Sequence, residues 1–212
     1  KDKKFRSTFL SGLRWSAIKR VGQAMLSIVV TIIMARLLDP SDFGLVAMAT
    51  VFTGISNVFT ELGTGEALIR KKNPNNEFIS SIFWLNTGLA IVVCVILAII
   101  APFVAKLYDQ EIVEILIYVL SIEILLSGIN RVSHALLEKN MRFKAIAFAQ
   151  IVSQICGAAI GISMAFLGYG LWSLVILGIS GQFIYTIIVN IALKWVPKLK
   201  FNLDDIKNIF SF

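Results

Sequence analysis

The chain has 212 residues, of which 57% are hydrophobic and 16% are charged, and its formal net charge is +7. A water-soluble domain carries roughly a quarter of charged residues, so this composition excludes a soluble fold and predicts an integral membrane protein. In a soluble chain the positive charge would favour a nucleic-acid partner, but in a membrane protein it marks cytoplasmic loops, and no nucleic acid is expected.

The basic residues define the predicted topology. Sixteen of the twenty Lys and Arg residues fall in four short segments, namely 1–20, 70–72, 139–144 and 194–200. Membrane insertion keeps basic residues on the cytoplasmic side, and each interval between the segments has room for two crossings of about 20 residues. We therefore predict an all-α polytopic membrane helix bundle of six transmembrane helices, with both ends in the cytoplasm.

The predicted elements follow in chain order. Residues 1–14 form a cytoplasmic N-terminal segment, residues 15–196 form one six-helix transmembrane lobe, and residues 197–212 form a cytoplasmic linker. The predicted spans are 15–37, 43–67, 78–104, 112–137, 143–167 and 171–194.

Two of the boundaries between spans have clear local signals. Asp39 followed by Pro40 is typical of a capped helix start, so the first turn is predicted to be short. Residues 145–193 contain no charged residue and are too long for one crossing. Gly168 and Gly170 are the predicted break in this stretch, because glycines end helices and permit tight turns.

Four predicted spans carry polar residues on one helical face. These stripes contain Arg20 and Gln23 in the first span, Asn57 and Glu61 in the second, Glu123, Arg131 and His134 in the fourth, and Gln150 and Gln154 in the fifth. Polar and charged groups deep in a span usually face a bundle interior or an aqueous cavity. Arg20, Glu61, Arg131 and Gln150 share a depth of roughly 8–15 Å from the cytoplasmic ends. The stripes therefore predict a polar cavity that opens to the cytoplasm.

Several of these residues also have a purely structural interpretation. Arg20 can extend its guanidinium to the headgroups, and a single histidine such as His134 often serves only as a hydrogen-bonding group. Gly157 and Gly161 form a GxxxG pattern, which indicates close helix packing. The sequence has no phosphate-binding glycine loop, metal-ligand spacing or nucleophile turn. From these absences we expect neither an enzyme nor a cofactor.

Three segments carry a resemblance to a known family. They are the run MARLLDPSDFGL at 34–45 with Glu-Leu-Gly at 61–63, the run LLEKNMRF at 136–143, and GYGLW at 168–172. In these segments the chain resembles the polysaccharide-biosynthesis flippases of the multidrug, oligosaccharidyl-lipid and polysaccharide exporter superfamily. The resemblance covers nearly the whole chain. It implies that the chain corresponds to the N-terminal six-helix lobe of a two-lobe transporter.

The resemblance also implies a substrate and a location. Such proteins move undecaprenyl-pyrophosphate-linked oligosaccharides across the bacterial inner membrane, and polysaccharide polymerases and glycosyltransferases are expected partners. In that setting Arg20 and Arg131 would bind phosphate oxygens. The amides of Gln23, Asn57, Gln150 and Gln154 would meet sugar hydroxyls. Glu61, Glu123 and His134 are the candidates for coupling transport to H⁺ or Na⁺.

Two other functions remain open from the sequence. A multidrug or metabolite exporter of the same fold would favour aromatic and acidic cavity walls over paired arginines. A non-transporting membrane scaffold would instead organise glycosyltransferases or a polymerase without moving a substrate.

Overall fold

The computed structural model describes residues 2–60, 64–71 and 74–198, with side chains from Arg20 onward except those of 55–60 and 67. These residues form seven helices and no strand, so the predicted all-α bundle is confirmed. The helices are α1 (Asp2–Leu37), α2 (Pro40–Thr60), α3 (Thr64–Arg70), α4 (Asn76–Tyr108), α5 (Glu111–Lys139), α6 (Phe143–Phe166) and α7 (Trp172–Leu193).

Among the described residues, five helices are long and apolar enough to cross a membrane. They are Arg20–Leu37 of α1 and the whole of α4, α5, α6 and α7. The predicted second span, 43–67, includes the described parts of α2 and α3, and residues 61–63 between them, with Glu61, lie outside the described residues. The chain is therefore a multi-pass membrane protein, and the count of six crossings stays a prediction.

The helix boundaries follow local capping signals. Helix α2 begins at Pro40, as predicted from Asp39 and Pro40. The side chain of Asn75 caps α4 by accepting a hydrogen bond from the main-chain N–H of Phe78 over 3.0 Å. The turn between α6 and α7 contains Gly168 and Gly170, both with positive φ, which confirms the predicted break.

Helix α5 lies at the centre of the bundle and packs against α2, α3, α4 and α7, while α6 lies between α1 and α7. Glycines allow the closest approach of α6 to α7. A Cβ atom at Gly157 would lie 2.8 Å from the carbonyl oxygen of Leu177, and one at Gly161 would lie 2.9 Å from that of Ser173. The GxxxG pattern thus serves close helix packing, as expected.

Three of the four basic segments meet at one end of the bundle. Lys139, at the end of α5, donates hydrogen bonds to the carbonyl oxygens of Leu68 and Lys71 at the end of α3. Arg142 donates to the carbonyl oxygen of Ala192 at the end of α7, over 3.0 Å. These cations satisfy carbonyl groups that helix ends leave without partners.

The segment that leaves α7 returns to the same end of the bundle. The indole N–H of Trp84 on α4 donates to the carbonyl oxygen of Lys198 over 2.9 Å, and the N–H of Lys198 donates to Oγ of Ser80 over 3.0 Å. Under the predicted topology this end, which gathers the basic residues, is cytoplasmic.

Candidate functional site

A cavity of about 310 Å³ lies between α1, α6 and α7. We call it the glutamine cavity because four of the side chains along its wall are glutamines. Its described lining residues are Gln23, Gln150, Ser153, Gln154, Leu177, Gly178, Gly181, Gln182 and Tyr185. The cavity therefore brings three predicted substrate-binding residues from two helices together, and none of its described lining residues is charged.

The amide groups of this cavity have unused hydrogen-bonding capacity. Gln154 donates from Nε2 to the main-chain carbonyl oxygen of Gln23 over 3.2 Å, which joins α6 to α1. The Oε1 atoms of Gln150 and Gln154 are buried, and neither accepts a hydrogen bond from a described residue. A buried polar atom without a partner costs about 1–3 kcal/mol. Both oxygens are therefore unsatisfied acceptors in residues that line the cavity.

Glu123 extends from α5, at the centre of the bundle, to the side of α7 that faces away from the glutamine cavity. Its Oε1 atom lies so close to Gly178, a residue that lines the glutamine cavity, that it would overlap with a Cβ atom at that position. The absence of a side chain at this position makes room for the carboxylate. Glu123 is partly buried between α5 and α7, so it lies directly behind the cavity wall.

A second cavity of about 360 Å³ lies between α3 and α5. We call it the arginine cavity, and its described lining residues are Gly65, Glu66, Ile69, Arg131, His134, Ala135 and Glu138. Nε2 of His134 lies 3.3 Å from Oε1 of Glu138, one helical turn further along α5. This cavity thus gathers one arginine, one histidine and two carboxylates near the C-terminal end of α5.

Hydrogen bonds between α5 and α7 connect the two cavities. Nδ1 of His134 is hydrogen-bonded to the hydroxyl group of Tyr185, which lines the glutamine cavity. Beside this contact, Nδ2 of Asn130 donates to Oγ1 of Thr186 over 3.1 Å. One turn further, Oγ of Ser133 donates to Oδ1 of Asn190 over 2.8 Å. The interface between these two helices is therefore polar over these two turns.

The remaining predicted site residues are placed differently. Arg20 is exposed where the apolar part of α1 begins, and it is not among the described residues that line either cavity. The side chain of Asn57 and the whole of Glu61 lie outside the described residues. Among the described residues, no group of three His, Cys, Asp or Glu side chains is placed to hold a metal ion.

Gln182 and Tyr185 were not predicted as site residues. Together with Gly178 they follow one face of α7 at steps of four and three residues, which is the helical signal that marked the other spans. Only one of these three residues carries a strongly polar amide, so the stripe is weaker than those of α1 and α6.

The family of the chain follows from a comparison with known proteins. A family model described as "Polysaccharide biosynthesis protein" matches residues 33–212. The chain belongs to this family. The resemblance seen at the turn between the first two helices is thereby confirmed.

Curated relatives of the chain carry names from polysaccharide synthesis and transport. The succinoglycan biosynthesis transport protein ExoT of Rhizobium meliloti is 27% identical over 97% of this chain and 42% of its own length. The teichuronic acid biosynthesis protein TuaB of Bacillus subtilis is 28% identical over 96% of this chain and 42% of its own length. The lipopolysaccharide biosynthesis protein WzxC of Escherichia coli is 26% identical over 72% of this chain and 31% of its own length.

The chain therefore spans less than half the length of each of these relatives. No solved structure gives a significant match to it.

Proposed function

We propose that this chain forms part of a flippase that moves undecaprenyl-pyrophosphate-linked oligosaccharide units across the bacterial inner membrane by alternating access. Membership of the polysaccharide biosynthesis family and relatives named as transport proteins support this class of function. The observation that carries the substrate assignment is the glutamine cavity, an uncharged polar space among helices that are otherwise apolar.

The glutamine cavity fits the chemistry of a neutral glycan. A sugar hydroxyl both donates and accepts hydrogen bonds, and a glutamine amide offers two donors and one acceptor oxygen to match it. The unpartnered Oε1 atoms of Gln150 and Gln154 would accept from two hydroxyl groups. Gln182 on α7 provides a further amide on the facing wall. A bound sugar would thus remove the energetic penalty of leaving these oxygens buried and unpaired.

The pyrophosphate group would be held outside this cavity by arginine. Arg131 lines the arginine cavity, and a guanidinium group binds phosphate oxygens by charge-assisted hydrogen bonds. Glu66 and Glu138 line the same cavity and would oppose an anion there, so the phosphate would approach from the side of Arg131. The exposed Arg20 would meet phosphate groups at the headgroup level, where a lipid-linked substrate enters.

The proposed energy source for transport is a gradient of H⁺ or Na⁺. A carboxylate within the bundle can exchange a proton or bind Na⁺, and Glu123 lies directly behind the cavity wall at Gly178. We propose Glu123 and His134 as the coupling groups, with Glu61 as a third candidate. The expected partners of the protein are the glycosyltransferases that build the oligosaccharide and the polymerase that receives it.

The proposed function is tested by deleting the gene and following the lipid-linked oligosaccharide. We expect surface polysaccharide to disappear while the labelled intermediate accumulates on the cytoplasmic leaflet. A plasmid copy of the gene should restore surface polysaccharide and clear the accumulated intermediate. Unchanged surface polysaccharide with increased drug sensitivity would indicate a drug exporter. If a variant that transports nothing in vesicles restores surface polysaccharide to the deletion strain, the protein acts as a scaffold.

A further inference from the structure

The carboxylate of Glu123 lies against the α7 wall of the glutamine cavity. A Cβ atom at Gly178 would overlap with Oε1 of this carboxylate and would lie 3.3 Å from its carboxyl carbon. Gly178 is one of the residues that line the cavity, and it has no side chain to hold the carboxylate away from α7. The main chain of α7 at Gly178 therefore separates the charge of Glu123 from the cavity.

Among the described residues, no cation is paired with this carboxylate. Glu123 forms neither an ion pair nor a hydrogen bond with any of them, and the described residues that line the glutamine cavity are all uncharged. Arg131 follows on the same helix, but it lines the arginine cavity. The distance along α5 from Glu123 to Arg131 is about 12 Å, so the two charges belong to different sites.

A charge without a partner acts over a longer distance within a membrane protein than it does in water, because the effective dielectric constant is lower. We propose that Glu123 determines the specificity of the glutamine cavity: its ionised carboxylate makes the cavity select uncharged sugars and reject sugars that carry a carboxylate. Glu123 is not among the described residues that line the cavity. It therefore acts on the ligand through its electric field rather than by contact.

Two effects disfavour an acidic sugar in this cavity, and they have different origins. The sugar carboxylate loses water, and no described lining residue is a cation that would compensate for this loss. The ionised carboxylate of Glu123 also repels it through the wall at Gly178. A neutral sugar meets neither penalty. Since only the repulsion depends on Glu123, a substitution at this residue separates the two effects.

The test uses two ligands that differ in the charge of their sugars. They are undecaprenyl-pyrophosphate disaccharides in which both sugars are either glucose or glucuronic acid, so that a carboxylate replaces each hydroxymethyl group. Both ligands carry the same pyrophosphate, and its contribution cancels in the ratio of their dissociation constants. Binding is measured with the full-length protein in phosphatidylcholine nanodiscs at about pH 8, at which carboxyl groups are ionised.

Two variants alter the charge at the wall in different ways. Glu123→Gln keeps the shape of the side chain and removes its charge, whereas Gly178→Ala keeps the charge and displaces it. We expect the glucose ligand to bind the wild-type protein more tightly than the glucuronic acid ligand. This preference should fall by roughly tenfold in Glu123→Gln, as for one charge about 10 Å away at an effective dielectric constant of about 20. Gly178→Ala should also reduce it.

Glu114→Gln is the matched control, because it removes a carboxylate from the same helix at a position that is not among the described lining residues of either cavity. It should keep the wild-type preference. Equal binding of the two ligands to the wild-type protein, or a preference that Glu123→Gln leaves unchanged, would overturn the inference and leave glycan binding intact. The inference rests on the proposed function for its ligand, and failure of the wild-type protein to bind the glucose ligand would contradict that function itself.

Discussion

Gln154 on α6 donates a hydrogen bond from its side-chain Nε2 to the main-chain carbonyl oxygen of Gln23 on α1, over 3.2 Å. This bond fixes the amide plane of Gln154 and leaves its buried Oε1 without a partner among the described residues. The same residue therefore joins two walls of the glutamine cavity and carries a buried acceptor without a partner among the described residues.

Replacing Gln154 by leucine should cost more stability than replacing Gln150. Both substitutions remove a buried oxygen without a partner, and only Gln154→Leu also loses the bond to Gln23. We therefore expect Gln154→Leu to be less stable than Gln150→Leu by about 1 kcal/mol. Thermal unfolding in detergent micelles measures both. Equal loss of stability in the two variants would contradict the hydrogen-bond assignment.

Alanine at Gly157 should separate α6 from α7. The new Cβ would lie 2.8 Å from the carbonyl oxygen of Leu177 and 2.9 Å from Cα of Gly181, and these main-chain atoms cannot move aside. Overpacking of this kind costs about 1–3 kcal/mol. Gly88→Ala is the matched control within α4, because nothing lies within 4 Å of its added Cβ. We expect a lower melting temperature for Gly157→Ala only, and unchanged melting of both variants would contradict this packing.

Gly178→Ala should displace the Glu123 carboxylate while the fold survives. The added methyl group would take the place of Oε1 of Glu123, which is the end of a flexible side chain and can move. We expect near-normal thermal stability and a large loss of transport. Gly88→Ala in α4 is again the control, since nothing lies within 4 Å of its added Cβ and it is not among the described lining residues of either cavity. Full transport by Gly178→Ala would argue against a role for Glu123.

Lys139 and Arg142 should stabilise different helix ends. Lys139→Met removes donors from the carbonyl groups of Leu68 and Lys71, so amide exchange should rise in α3. Arg142→Met removes the donor to Ala192, so exchange should rise at the end of α7 instead. Hydrogen–deuterium exchange resolves the two segments, and each variant is the control for the other. Exchange that rises equally in both segments would indicate a general loss of structure.

Much of the helix arrangement is predictable because its signals are local. The start of α2 at Pro40 and the break at Gly168 and Gly170 depend on residues adjacent to the boundary. The second span, predicted over 43–67, stays a prediction, because residues 61–63 within it lie outside the part of the chain that the structure describes.

The site was predictable only in part, because it depends on which helices touch. The polar stripes of α1 and α6 contain Gln23, Gln150 and Gln154, which the structure brings to one cavity, and the role of these residues stays a prediction. The stripes do not show that Arg131 faces α3 while Arg20 is exposed on α1. Those positions depend on packing between helices, and the periodicity within one helix gives no information about that packing.

The central claim is that the glutamine cavity binds the glycan during transport. It is tested most directly by uptake of labelled lipid-linked oligosaccharide into vesicles that contain either the wild-type protein or the double variant Gln150→Leu, Gln182→Leu. Both substitutions keep side-chain volume and remove cavity amides, so we expect normal abundance and melting with transport near the background of empty vesicles. Transport at the wild-type rate by the double variant would contradict the claim.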